Sequence, residues 1–262
     1  MRRRRASRSG VLVSVLVLAF VGALATDARA QGSPDPPAGR RDFLFGRPDG
    51  SIALRGSWLV PRAGSDLYRF IERELTIEEG DFNTAMFATD FGITLSPRTD
   101  AVIGLEVSRA SIASEYRNFV DNNRLPIEQT TSLKELNLTG SIRFALKPRG
   151  REVSSLAWIP ARVVPYIGGG AGVLWYEFVQ AGDFIDALDP RLAVFAERFE
   201  ADGFTPSAHL FGGVDVQLTG RWFLTMDGRY VWAEGELGPD FERFDPIDLA
   251  GFRFGAGINI LF

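Results

Sequence analysis

An all-β fold, an eight-stranded antiparallel up-and-down transmembrane β-barrel, is what this sequence predicts. Three observations carry the prediction. Segments long enough to cross a bilayer as strands alternate apolar residues with small or polar ones, which gives each strand one greasy face and one polar face. An export signal precedes them. After that signal no run of 18 apolar residues is available for a membrane helix. A membrane crossing must then use strands closed into a ring, because lipid offers an open sheet edge no hydrogen-bond partners.

Met1 to Ala30 has the three parts of a cleavable signal peptide. Five Arg lie within Met1–Arg8, Val11 to Ala25 is an apolar stretch of 15 residues, and Ala28-Arg29-Ala30 is a small-x-small cleavage site. The apolar stretch is shorter than the ~20 residues of a spanning helix. These residues hold six Arg and one Asp of a chain with 29 basic and 33 acidic residues, so residues 31–262 carry 23 and 32, a net charge of −9. An acidic exported chain argues against a nucleic-acid partner. The absence of Cys excludes a disulfide framework and a thiolate metal site. Residues 31–49 are rich in Pro and Gly and read as a flexible periplasmic lead-in, with 50–262 as the barrel.

The first strand runs from Ser51 to Val60, with Ile52, Leu54, Trp58 and Val60 opposed to Ser51, Ala53, Arg55 and Ser57. Pro61 to Gly80 breaks the alternation, and Leu67, Phe70, Ile71 and Leu75 have the spacing of a short amphipathic helix in a surface loop. The second strand, about 83–95, opposes Phe87, Phe91, Ile93 and Leu95 to Ala88, Asp90, Gly92 and Thr94. A tight turn at Ser96–Asp100 leads to the third, from Ala101 to as far as Tyr116, and Asn118 to Gln129 reads as a loop. The fourth, Thr131 to Leu146, puts Leu136, Leu138, Ile142 and Phe144 against Asn137, Thr139, Ser141 and Arg143. The fifth, Val163 to Phe178, contains Gly168-Gly169-Gly170-Ala171-Gly172. No Lys-Ser/Thr and no helix follow, so the run reads as room for a tightly curved sheet, not as a phosphate loop. Gln180 to Pro206 is expected to be a long acidic loop containing a helix. Ser207 to Leu218, Trp222 to Trp232 and Leu249 to Phe262 supply the last three strands. The joins after strands two and six are short and those after one, three, five and seven are long, with Lys147 to Arg162 a longer exception. Short turns on one side and long loops on the other are the outer-membrane arrangement.

The outward faces carry no charge at mid-strand. The inward faces bring Arg55, Arg143, Arg229 and Arg253 to Asp90, Glu106, Asp215 and Asp227. An eight-stranded barrel is just wide enough for its side chains to fill, and isolated buried ions are costly, so these charges are expected to pair as a plug. Trp58, Tyr166, Trp222, Tyr230 and Trp232 are expected on outward faces near strand ends, as interfacial aromatics. The long loops are acidic, among them Asp66, Glu72, Asp183, Glu200, Asp240 and Asp248, while the opposite joins carry Arg98, Lys147, Arg149, Arg151, Arg162 and Arg221. Asp240 to Asp248 lacks EF-hand spacing, and no metal or cofactor is expected. Ser207, His209 and Asp215 share one strand face, which on its own is weak geometry for a hydrolase. His209 is expected to point inward beside Asp215, and no enzyme activity is expected.

Pro165-Tyr166-Ile167-Gly168-Gly169-Gly170-Ala171-Gly172 and the closing Ile258-Asn259-Ile260-Leu261-Phe262 make the chain resemble the small outer-membrane β-barrel family of OmpA/OmpX type, from about Gly50 onward. The resemblance implies outer-membrane lipids and the barrel-assembly machinery as partners, with Phe262 as the assembly signal. The chain is expected to depart from OmpA in having no peptidoglycan-binding domain after the barrel. The expected role is a membrane-embedded structural or interaction scaffold. Its rivals are small-solute or hydrophobic-compound transport, a lipid-modifying hydrolase, and a soluble β-sandwich or lipocalin-like binding barrel whose greasy face would point inward. No external ligand is legible.

Overall fold

The structure is a computed structural model, and it describes residues 46–121, 123–154, 157–185 and 193–262. The expected signal peptide and all but the last four residues of the expected lead-in lie outside the described residues.

Eight strands form one closed antiparallel ring. They are β1 (Gly50–Pro61), β2 (Thr84–Thr94), β3 (Thr99–Val120), β4 (Pro126–Ala145), β5 (Val163–Ile185), β6 (Val194–Thr219), β7 (Trp222–Trp232) and β8 (Gly251–Leu261). Each pairs with its sequence neighbours, and β1 closes on β8 from Ser51 opposite Leu261 to Pro61 opposite Gly251. Closure leaves no sheet edge along the ring. The alternation read from sequence is the alternation of exposure: Leu54, Phe87 and Leu138 are 64%, 71% and 55% exposed, while Arg55, Glu106 and Asn137 are buried. The oily side faces out, opposite to a lipocalin-like barrel.

Glycines in β5 make the close curvature possible. A Cβ on Gly170 would collide with the carbonyl oxygen of Gly140 on β4, and one on Gly172 with that of Leu138. The glycine run therefore serves backbone approach, as its lack of a following helix suggested.

The strands differ from the sequence reading at the long-loop end. The loop expected from Asn118 to Gln129 is shorter than that, since β3 runs to Val120 and β4 starts at Pro126. The polar residues there still pair across strands, as Glu115 does with Glu128. Gln180 to Pro206 holds no helix among the described residues. Gln180 pairs with Phe199 and Ile185 with Val194, so β5 and β6 continue as a hairpin. Leu188 and Leu192, part of the basis for a helix there, lie outside the described residues. The expected helix after β1 does form, as α1 (Asp66–Glu74), with Asp66 in its first turn and Arg73 in its last to suit the helix dipole.

α1 is not a free surface helix. Leu67, Tyr68 and Ile71 are buried with Leu75, Ile77 and Phe82, against Leu133 of β4, Leu174, Tyr176 and Phe178 of β5, and Phe241, Ile247 and Leu249 of the β7–β8 connection. Tyr68 meets Phe82 edge-on with ring centres 5.0 Å apart, and Phe178 meets Phe241 at 5.5 Å. Carboxylates pin this layer, which forms a lid over the long-loop end: the Gly64 amide donates to Asp248 Oδ2 at 3.0 Å and the Asp245 amide to Asp66 Oδ1 at 3.1 Å. Burial pushes the Tyr68 phenol far above its ordinary range, helped by the nearby charges of Glu135 and Asp248.

At the opposite end, the long join folds into a hairpin of Gly150–Ser154 with Ala157–Pro160. Its Trp158 is buried against Phe223 and Leu261, inward residues of β7 and β8. An apolar layer thus stands at each end of the polar interior. Ile71, fully buried, is the central side chain of the α1 layer. Ile71→Ala is expected to cost about 2–5 kcal/mol. Hydrogen exchange should show residues 66–74 opening far faster while the amides of β1 and β8 keep their protection.

Candidate functional site

The inward column of β4 passes through the barrel in order: Leu133, Glu135, Asn137, Thr139, Ser141 and Arg143. Neighbouring strands meet it with matching chemistry, and the result is two groups of ion pairs separated by a neutral polar zone.

The first group centres on Glu106 of β3. Arg229 reaches it at 2.8 Å, Arg253 makes a direct hydrogen bond to its other oxygen, and Arg55 approaches at 3.8 Å. Arg253 also holds Glu135 at 3.0 Å. Arg55 joins Asp90 at 2.8 Å and Asp227 at 2.6 Å. The second group lies nearer the short turns. Arg143 bridges Asp100 at 3.0 Å and Asp215 at 3.2 Å, and Arg149 takes Asp100 at 2.6 Å. Arg143 lies over the Tyr166 ring and Arg229 over that of Phe211, each 4.9 Å from the ring centre, a cation–π arrangement. Between the groups Ser207 Oγ donates to Asn137, Ser141 Oγ meets His209 Nε2 at 2.8 Å, and Tyr166 Oη meets Thr225 Oγ1 at 3.0 Å. A cavity of about 30 Å³ remains beside Arg55, Asp227 and Asn259, room for little more than a water.

All eight charged positions expected inside are inside and paired. Three partners were missed. Glu135 is in step with Asn137 on β4 and could have been found by extending the alternation two residues. Asp100 and Arg149 looked like turn residues, because turns are ordinarily solvated. Here both curl back under the barrel, where Arg149 also donates to Ser96 O at 3.1 Å.

A ring of eight antiparallel strands with an oily outer wall and an ion-paired centre settles the architecture. It is that of the small outer-membrane β-barrels.

Trp58, Trp222 and Trp232 of the barrel face outward, about half exposed, and Tyr230 packs between Trp232 and Phe252. Tyr166 is a correction. It is 5% exposed and points inward, because in β5 the outward residues are Val163, Ile167 and Val173, and Tyr166 has the opposite parity. His209 also departs from expectation. It is inward, but its partner is Ser141, and Asp215 is taken by Arg143. Ser207, His209 and Asp215 therefore form no relay. Phe262 stands at the short-turn rim, where its ring is 6.0 Å from Phe91 and its backbone bonds to Gly50. Several loop acids serve the lid instead of solvent: Asp240 accepts the Glu200 amide and Asp248 the Gly64 and Ala250 amides. Among the described residues no three His, Asp or Glu side chains converge on a metal position.

No protein-family model and no curated protein matches the chain. Solved structures similar to it include Neisserial surface protein A, at 10% identity over 81% of this chain and 97% of that one, with a TM-score of 0.45. The outer membrane protein OprG from Pseudomonas aeruginosa is 13% identical over 84% and 99%, at 0.43. The attachment invasion locus protein of Yersinia pestis is 13% identical over 83% and 100%, at 0.37 or 0.38 in its two structures. At these values the fold rests on the barrel's own strand pairing, and no activity is carried over.

Removing one member of a buried ion pair leaves the other uncompensated. Glu106→Ala is expected to cost about 3–5 kcal/mol by that argument. Glu79→Ala, on an exposed loop, should stay within about 0.5 kcal/mol. Urea unfolding of the bilayer-inserted barrel measures both, and equal small effects would contradict the pairing.

Proposed function

We propose that the barrel sits in an outer membrane as a closed scaffold, displaying its long hairpins and acidic connections outside the cell and passing no solute through its centre. The observation that carries this reading is the interior itself: paired ions across the middle, a residual cavity of about 30 Å³, and an apolar layer at each end. A path through the centre would require parting Glu106 from its arginines and lifting α1 as well. Each step exposes buried charge or apolar surface, so spontaneous opening is strongly disfavoured.

Three features support the membrane setting. The outward wall is continuous in apolar residues, where a single Arg or Lys at mid-bilayer would cost about 2–4 kcal/mol. Tryptophans stand towards both rims. An export signal is legible in residues 1–30. Long connections face outward in such barrels, which puts α1 and the β3–β4 and β5–β6 hairpins outside. With 20 to 26 residues, β3 to β6 exceed the 9–11 needed to cross, and the surplus supplies the displayed surface.

Planar-bilayer recording is the test. Inserted wild-type barrel should give no single-channel steps, and proteoliposomes should retain small sugars. Reproducible conductance, lost or altered in Arg143→Ala or Asp90→Ala, would replace the scaffold with a conduit.

A further inference from the structure

Among the described residues, Lys147, Arg151 and Arg162 at the short-turn end take no part in the interior ion pairs, and the join that carries them is shaped. Between the Gly150–Ser154/Ala157–Pro160 hairpin and the start of β5 lies an open cleft of about 450 Å³. Ile159, Pro160, Ala161, Val163 and Pro148 form its apolar lining, and Lys147 and Arg151 stand on it as exposed cations. Arg162 is exposed beside it. Leu146 and Val163 continue the cleft directly into the oily outer wall, 47% and 45% exposed. Among the described residues none of these three cations has a carboxylate within ion-pair distance. Glu152, the acid next along the hairpin, lines the cleft on the hairpin's other side, with Arg47 and Arg149.

We propose that this cleft holds the headgroup of an anionic phospholipid in the leaflet facing the short turns. The phosphodiester would meet Lys147, Arg151 and Arg162, and the glycerol and first acyl carbons would lie on Ile159, Pro160 and Val163. Positive charge set against an apolar floor, at the level where the strands enter the bilayer, matches a membrane lipid that is anionic at its head and oily below it. Cations near an anionic lipid surface attract it by about 1 kcal/mol each. The assignment rests on the membrane setting proposed above.

Native mass spectrometry of the detergent-solubilised full chain, given equal amounts of phosphatidylglycerol and phosphatidylcholine, tests it. Wild type should retain one phosphatidylglycerol in clear preference. That preference should fall roughly fivefold for each of Lys147→Gln, Arg151→Gln and Arg162→Gln, the ratio equivalent to about 1 kcal/mol per charge. Ile159→Glu should abolish it, whereas Arg109→Gln, exposed midway along β3 and away from the cleft, should leave it intact. Each variant's heat-modifiable gel migration confirms that the barrel is folded, and the single exposed substitutions are the ones least able to disturb it. Equal retention of both lipids by wild type overturns the proposal. So does a preference that survives the triple Gln variant, or displacement by inorganic phosphate alone. Failure of the barrel to partition into vesicles at all would instead overturn the membrane setting.

Discussion

The pairing of β1 with β8 is the constraint on which the rest depends. Once Ser51 lies opposite Leu261 and Pro61 opposite Gly251, the ring is closed and each of its eight strands has a paired neighbour on both sides. An inside and an outside are then fixed for all eight strands together. A slip of one residue on any strand would turn its charges into the wall and its leucines into the core. Register is therefore specified by cost on both faces, and the alternation in sequence is the record of that cost.

Closure also dictates the interior. A ring of eight strands encloses about the volume its own side chains need. Polar residues are forced inward by the oily wall, and they are tolerable only when partnered. Glu106 with three arginines around it, and Arg143 between two aspartates, are the solution this chain adopts. The ion pairs specify which strands may sit across from one another as much as they stabilise the ring. Above and below them the interior turns apolar, because those layers are closed by the chain's own α1 and by Trp158.

The barrel and its inner charges were legible because a period of two is a strong signal when it persists along a whole strand. What was not legible depended on surfaces distant in sequence. Gln180 to Pro206 looks like a loop until β6 is seen to pair with β5, a partner that local composition does not reveal. α1 was visible from Leu67, Ile71 and Leu75, but its burial was not, since the other half of its core comes from Phe178, Phe241 and Ile247. Tyr166 was misplaced by residue type: tyrosine suits a membrane interface, yet its parity on β5 put it inside, under Arg143. Asp100 and Arg149 were hidden for a similar reason, since turn residues are assumed solvated until the turn folds back on the barrel.

The scaffold reading and the lipid cleft both presuppose that acyl chains touch the leucine side of the wall. A nitroxide scan of β4 tests this most directly, and the absence of native Cys makes it clean. Single Cys at 136, 137, 138 and 139 would carry spin labels in the bilayer-inserted protein. Labels at Leu136 and Leu138 should be relaxed by oxygen dissolved in lipid, and those at Asn137 and Thr139 should be immobile and screened from it. The opposite pattern, with oxygen reaching 137 and 139, would contradict the account at its root.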